Sequence, residues 1–345
     1  MSRMRRVFLS GHVYEFCFRA KEGLPLPIWE LINLLINSAL ARTQRDDKLT
    51  LCHHLWMGNH VHIIAIVHDA QEAVDFMQEL QKKLTEYIKR LLGKERLNIW
   101  EGSAMMAVIT DPEKVIDRLA YLYANPASAD LVETIEDYPG VSSWQEYKST
   151  PNKIDAKTSK KVPWVRQPLV PKLKSRRLTR LEDKSITESV TIASSKKTHE
   201  LTLYPNAWMK AFNITEPKEV EEWNRRAMEL VKQKEEAARK ARGKKKVLGV
   251  ERLGREPIFK EHTPKENREK IFVLSSDSAL RIKYINYLKS TADEARELYE
   301  PWTNGHNVKW PPGVFRPPLR PVANCIKMTE LEVSSQGLES AMLLA

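Results

Sequence analysis

The sequence predicts an α+β domain at the front of the chain, followed by a basic and mainly helical extension. Three observations carry that prediction. Segments with strand and helix periodicity alternate as β, α, β, β, α, β, α up to about residue 125, the charge is split unevenly along the chain, and the texture turns proline-rich and basic after about residue 150. The order is the split βαβ pattern of ferredoxin-like domains with an added helix, which implies an antiparallel sheet packed on one side by helices. A chain of 345 residues is long enough for two such units.

Each element has its own signal. The run VFLSGHVYEFCFR, residues 7–19, is rich in β-branched and aromatic residues and reads as a strand or bent strand pair. PIWELINLLINSALART places Ile28, Leu31, Ile32, Leu35 and Leu40 on a helical period opening near Pro27. Residues 49–68 contain two β-rich runs separated by Met57, Gly58 and Asn59, a hairpin or a break between strands. From 71 to 92 the apolar positions Val74, Met77, Leu80, Leu84, Ile88 and Leu91 share one helix face. SAMMAVI at 103–109 is a further strand, and DPEKVIDRLAYLYANP a helix capped by Asp111, with Pro112 at its first position, ending around Asn125 before Pro126.

Beyond residue 150 the organisation is coarser. Residues 151–180 hold ten Lys or Arg against the single Asp155, together with four prolines, so 151–215 is expected to be a basic linker or arm. Residues 216–242 read as one long charged helix, 277–300 as another, and WPPGVFRPPLRP at 310–321 as a proline-rich strap. The expected division is a folded domain at 1–150, the arm at 151–215 and a helical basic region at 216–345.

The net charge of +11 is not shared evenly. Residues 1–150 carry 17 basic and 20 acidic side chains, a net of −3, and residues 151–345 carry 39 and 25, a net of +14. A basic region of this kind expects a polyanion as partner, because neutralised phosphates release counterions. Cys17, Cys52 and Cys325 are scattered and odd in number, which argues against a disulfide framework or a thiolate zinc site. No run of 18 apolar residues occurs and the first residues lack the pattern of a signal peptide, so a cytoplasmic protein is expected.

Chemistry concentrates in two short motifs. In GNHVHIIAIV, His60 and His62 are two apart in a strand and project from the same face, while Val61, Ile63, Ala65 and Val67 point the other way into a core. Two converging imidazoles are half of a metal site, or simply polar residues on an exposed sheet face. His53 and His54 point to opposite faces and are read as structural. On the following helix Tyr121 and Asn125 are four apart and share a face, with Asn125 an oxygen donor suited to Mg²⁺ or Mn²⁺. The alternative is a core tyrosine and an asparagine that only ends the helix.

Together, HLWMGNHVHIIAIV, LAYLYANPASADLV and YPGVSSW resemble the single-tyrosine transposases and their relatives associated with repetitive extragenic palindromes, within the HUH endonuclease superfamily. The resemblance spans about residues 5–148 and rests on Met57, Asn59, His60, His62, Tyr121, Asn125 and Pro126. It implies a divalent metal, Mg²⁺ or Mn²⁺, held by His60, His62 and Asn125, and Tyr121 as the nucleophile that cuts single-stranded DNA, leaving a 5′-phosphotyrosine and a free 3′-OH. A phenol is a poor nucleophile at neutral pH, so a nearby cation or base is a requirement of such a mechanism. Rejoining needs no ATP, which agrees with the absence of a GxxxxGK[ST] phosphate loop. The implied partner is single-stranded DNA with hairpin or palindromic repeats, met by a monomer or homodimer, with no membrane.

Two departures from the family pattern stand out. Gly58 occupies a position usually held by proline, and Tyr123 one often held by histidine. Tyr123 lies about 200° around the helix from Tyr121 and is expected in the core or as a base-stacking residue, with a rival role as nucleophile if the register differs. DNA contacts are expected collectively from Lys172, Lys174, Arg176, Arg177, Arg180, Arg239, Lys240, Arg242, Lys244, Lys245 and Lys246, with Trp164 or Trp208 as stacking surfaces. Two other classes compete with the nuclease reading. One is a catalytically idle DNA-binding protein of the same fold, and the other a zinc hydrolase that activates water.

Overall fold

The computed structural model describes residues 7–21, 23–24, 28–45, 49–102, 104–262 and 271–317. In chain order the strands are β1 (His12–Arg19), β2 (Gly23–Leu24), β3 (Thr50–Trp56), β4 (His60–Val67), β5 (Met105–Ile109), β6 (Thr158–Pro163), β7 (Thr198–Leu203), β8 (Lys260–Glu261) and β9 (Val273–Leu274). The helices are α1 (Glu30–Gln44), α2 (Ala70–Leu92), α3 (Pro112–Ser128), α4 (Trp144–Lys148), α5 (Arg180–Ser194), α6 (Pro217–Arg242), α7 (Gly249–Leu253), α8 (Ser278–Glu297) and α9 (Tyr299–Thr303).

The main sheet has the order β3-β4-β1-β5-β9. Its first four strands are mutually antiparallel, with Cys17 opposite His62 and Arg19 opposite His60 across β1 and β4, and Glu15 opposite Ala107 across β1 and β5. This is the split βαβ arrangement expected for an α+β fold. Strand alternation sends Phe16, Phe18, Val61, Ile63 and Ala65 to one face, where α1 and α2 bury Leu35, Ile36, Leu80 and Ile88 against them. The opposite face presents Val13, Ile64, Ile66 and Ala107 to Ile116, Leu119 and Leu122 of α3. Helices therefore cover both faces, not one, because α3 crosses back beneath the sheet.

Local chemistry fixes the helix ends. Asp69 accepts the amides of Gln71 and Glu72 at the start of α2, which closes on Gly93 in the left-handed region at φ 62°. Asp111 accepts the Lys114 amide at the start of α3. The expected stop before Pro126 does not occur. Helix α3 runs through it to Ser128, because Ala124, Pro126 and Ala127 are buried and their packing outweighs the one amide hydrogen bond that proline removes.

Residues 151–215 form packed structure where a linker or arm was expected. Strands β6 and β7 pair antiparallel with α5 between them in the chain, and Gln44 of α1 bonds the Thr202 backbone in both directions. Asp183 of α5 accepts the Glu30 and Leu31 amides, serving as the N-terminal cap that α1 lacks locally. Val162, Val165, Val170, Leu201 and Leu203 join the same core as α1 and α2. The lysines between them stay at the surface, which is why composition reads the segment as a basic tether. Further on, β9 joins the main sheet parallel to β5, and Phe8 donates to the Gly313 carbonyl at 2.8 Å. The rest of the proline-rich strap, Cys325 and Pro27 lie outside the described residues. Among the described residues no helix is long and apolar enough to cross a membrane.

Candidate active site

Strand β4 and helix α3 face each other across the second layer of core. The bend at Met57, Gly58 and Asn59 starts β4 on His60, whose Nδ1 meets Asn59 Oδ1 at 2.5 Å. Two residues on, His62 lies on the same face, buried beneath α3, and the two imidazole rings stand 4.9 Å apart, edge to face. From α3, Asn125 Nδ2 donates to His60 Nε2 at 3.0 Å, and the Tyr121 ring sits 5.5 Å from His62. The four sequence-predicted residues thus meet at one place. A one-turn spacing on α3 and a two-residue spacing on β4 give each pair one face, and the packing of α3 against the sheet brings the two faces together.

A buried ion cluster supports them. Glu15 Oε1 accepts from His62 Nδ1 at 2.8 Å, and Arg118 grips the same carboxylate with Nε at 2.7 Å and a second guanidinium nitrogen at 2.8 Å. Burial alone would push the Glu15 carboxyl upward. Hydrogen bonds and charge from His62 and Arg118 outweigh that and hold it down to about 2, so it is ionised. With the Glu15 carboxylate on its Nδ1, His62 turns Nε2 away from that partner, and this buried nitrogen has no hydrogen-bond partner. Burial, followed by the charges of His62 and Arg19, pushes His60 down to about 3, which keeps it a neutral ligand-type imidazole. Arg118 also lies over the Tyr121 ring, 4.1 Å from its centroid.

Two imidazoles and an asparagine carboxamide are a donor set that suits a divalent metal, and the unpartnered His62 Nε2 fits that use. Among the described residues no group of three or more His, Cys, Asp or Glu side chains is arranged to hold a metal ion, so the third donor here is the asparagine. Glu15 and Arg118 went unseen at the sequence level. The available signal was a lone carboxylate in the apolar strand HVYEFCFR, and only the strand register turns it toward His62.

The second tyrosine is a core residue. Tyr123 is fully buried, its hydroxyl 2.9 Å from His53 Nδ1 and 2.9 Å from Ser143 Oγ, which in turn bonds the His54 carbonyl. Trp208 is also fully buried, so it offers no stacking surface, and Trp164 is half-buried with Lys197 Nζ 3.8 Å from its ring centroid.

The basic residues divide into two groups. Arg239 and Arg242 pair with Glu133 at 3.3 and 2.5 Å, and Arg242 also reaches Asp130. Arg176 lies 3.9 Å from Glu261, and Arg180 opens α5. Lys172, Lys174, Arg177, Lys240, Lys244, Lys245 and Lys246 are exposed. None of these is drawn into the His60 cluster, although Lys245 approaches Tyr121 across a groove described below.

No protein-family model matches the chain. A protein of Haemophilus influenzae named "Putative REP-associated tyrosine transposase" is 22% identical over 158 residues, which cover 43% of this chain and 89% of that relative. This chain is similar to REP-associated tyrosine transposases. More than half of it has no counterpart in that relative. A solved REP-associated tyrosine transposase, bound to a REP hairpin, covers 43% of this chain and 86% of its own, at 19% identity and a TM-score of 0.37.

Proposed function

We propose that this chain is a transposase-like endonuclease that cleaves and rejoins single-stranded DNA beside hairpin or palindromic repeats. The observation that carries the reading is the meeting of Tyr121, His60, His62 and Asn125 on one side of the sheet, with the tyrosine ring accessible. The similarity to REP-associated tyrosine transposases supports the substrate class.

In this reading His60, His62 and Asn125 would hold Mg²⁺ or Mn²⁺, which when bound would supply positive charge toward the scissile phosphate. Tyr121 gives up its hydroxyl proton, its Oη bonds to phosphorus, and the bond from phosphorus to the 3′ oxygen breaks. One fragment leaves as a 3′-OH that takes up a proton, and the other stays on the tyrosine as a 5′-phosphodiester. The reverse step rejoins the strand without a nucleotide cofactor. Glu15 keeps His62 oriented, and Arg118 holds the ring of Tyr121 at the site.

The test is incubation of the full chain with hairpin-bearing single-stranded DNA and Mn²⁺, read on a denaturing gel. A protein–DNA adduct is expected, absent with EDTA and absent in Tyr121→Phe. Binding without an adduct would point to an idle DNA-binding protein. Cleavage that survives Tyr121→Phe without an adduct would point to a hydrolase using water.

A further inference from the structure

The outer edge of α3 carries Glu113, Asp117 and Tyr121 at four-residue spacing, and α6 lies along it. The first two are closed off by cations of α6, Arg226 on Glu113 at 2.7 Å and Lys234 on Asp117 at 3.1 Å. At Tyr121 the closure stops. Opposite it α6 presents Ala237, Ala238 and Ala241, α3 continues with Ala124, and the helices part around an open groove of about 560 Å³. Beyond the groove the ion pairs resume with Arg242 on Asp130 at 3.5 Å. The hollow therefore lies between two ionic clasps, with the 40% exposed Tyr121 ring in its wall.

We propose that this hollow seats the nucleotides flanking the phosphate attacked by Tyr121, so that α6 forms one wall of the catalytic cleft. The inference rests on the nuclease reading and adds the place of the strand. Its volume lies within the range of roughly 300–1,000 Å³ typical of small-ligand pockets. Of the three cations in its lining, Lys234 is held by Asp117 and Arg242 by Asp130 and Glu133, so the exposed Lys245 is the one placed to meet a phosphate, and the alanine floor leaves room for a sugar or base. The groove is also continuous with the one tyrosine of α3 that reaches solvent. Without α6 the tyrosine would stand on an open surface.

The experiment labels the groove in the full chain. Ala241→Cys is alkylated by a maleimide with and without hairpin-bearing single-stranded DNA, and labelling is read peptide by peptide so that the native cysteines are counted separately. Lys232→Cys, about half a turn away on the outer face of α6, is the control. With DNA at about ten times its Kd, labelling at position 241 should fall roughly tenfold and that at 232 should not. In a second variant, Ala238→Trp, the filled hollow should lower the adduct yield by about 10²-fold, as expected for a displaced reacting group. Unchanged labelling of position 241 in a DNA-bound chain, or equal protection of both positions, overturns the proposal. Protection at 241 without any adduct in the unmutated chain would sink the nuclease reading and leave the seat for the strand standing. An adduct without protection would do the reverse.

Discussion

Two clusters in this molecule are built from nearly the same residues and differ in what surrounds them. One joins His60, His62, Asn125 and Tyr121, the other His53, His54, Ser143 and Tyr123. Both draw on a histidine pair from one β-hairpin and a tyrosine from α3. In the second cluster the Tyr123 hydroxyl bridges His53 Nδ1 and Ser143 Oγ, and Ser143 donates to the His54 carbonyl, all within a sealed core. Both His54 nitrogens and His53 Nε2 lack partners there, just as His62 Nε2 does in the first. An unpartnered imidazole nitrogen is therefore not what separates a site from a core. Access does, together with a carboxylate that orients the ring.

The sharpest way to break the comparison is to exchange the tyrosines' roles. Tyr121→Phe should reduce adduct formation to background. Tyr123→Phe should keep it and cost about 1–3 kcal/mol of stability, the price of leaving His53 or Ser143 unpaired in the core. Loss of the adduct in a Tyr123→Phe protein that still unfolds cooperatively would reverse the assignment.

Next in size is the ion cluster under His62. Arg118→Met leaves the Glu15 carboxylate buried with only one partner, and urea unfolding should show a loss of about 3–5 kcal/mol. Arg118→Lys should recover part of the stability, since its single ammonium cannot reproduce the two-pronged grip. Equal stability in all three proteins would remove the cluster from the account.

The sealed cluster should show itself through acid. Burial pushes His53 and His54 down to about 3, against an ordinary 6.5, so the unfolded chain binds protons that the folded chain refuses. Their contribution is complete above pH 6.5 and is lost as the pH falls toward 3, with a slope of about 1.4 kcal/mol per pH unit for each histidine. His54→Leu should flatten that slope in denaturant titrations between pH 6 and 4. An unaltered slope would mean that the histidine is not buried in its neutral form.

The smallest effect concerns the basic extension. Glu113, Asp117, Asp130 and Glu133 are paired with Arg226, Lys234, Arg239 and Arg242, so part of the excess charge of the second half serves the acids of the first. Replacing Lys244, Lys245 and Lys246 by alanine should lower the slope of log affinity against log salt by about one for each lysine that contacts a phosphate. Arg239→Ala should change stability more than salt dependence.

The residues that lie close in sequence were readable from periodicity alone. A two-residue step in β4 puts His60 and His62 on one strand face and a four-residue step in α3 puts Tyr121 and Asn125 on one helix face, while the meeting of the two faces was implied by the family resemblance and not by spacing. Glu15 and Arg118 were not readable, because the contact between them joins positions 103 residues apart and depends on which way β1 pairs with β4. The helix stop before Pro126 failed for a related reason, since tertiary burial there overrides a local preference. The segment 151–215 failed because its few valines and leucines are separated by lysines, and only the surface of α1 and α2 shows what they cover. The alternation of charge and alanine on α6 becomes meaningful only once α3 is known to lie against it.

The most direct measurement is fragment-ion mass spectrometry of the trapped protein–DNA adduct, which separates the neighbouring tyrosines within one peptide. The account predicts the nucleotide on Tyr121, formed only when Mg²⁺ or Mn²⁺ is supplied. A nucleotide on Tyr123, or an adduct formed equally well in EDTA, would contradict it.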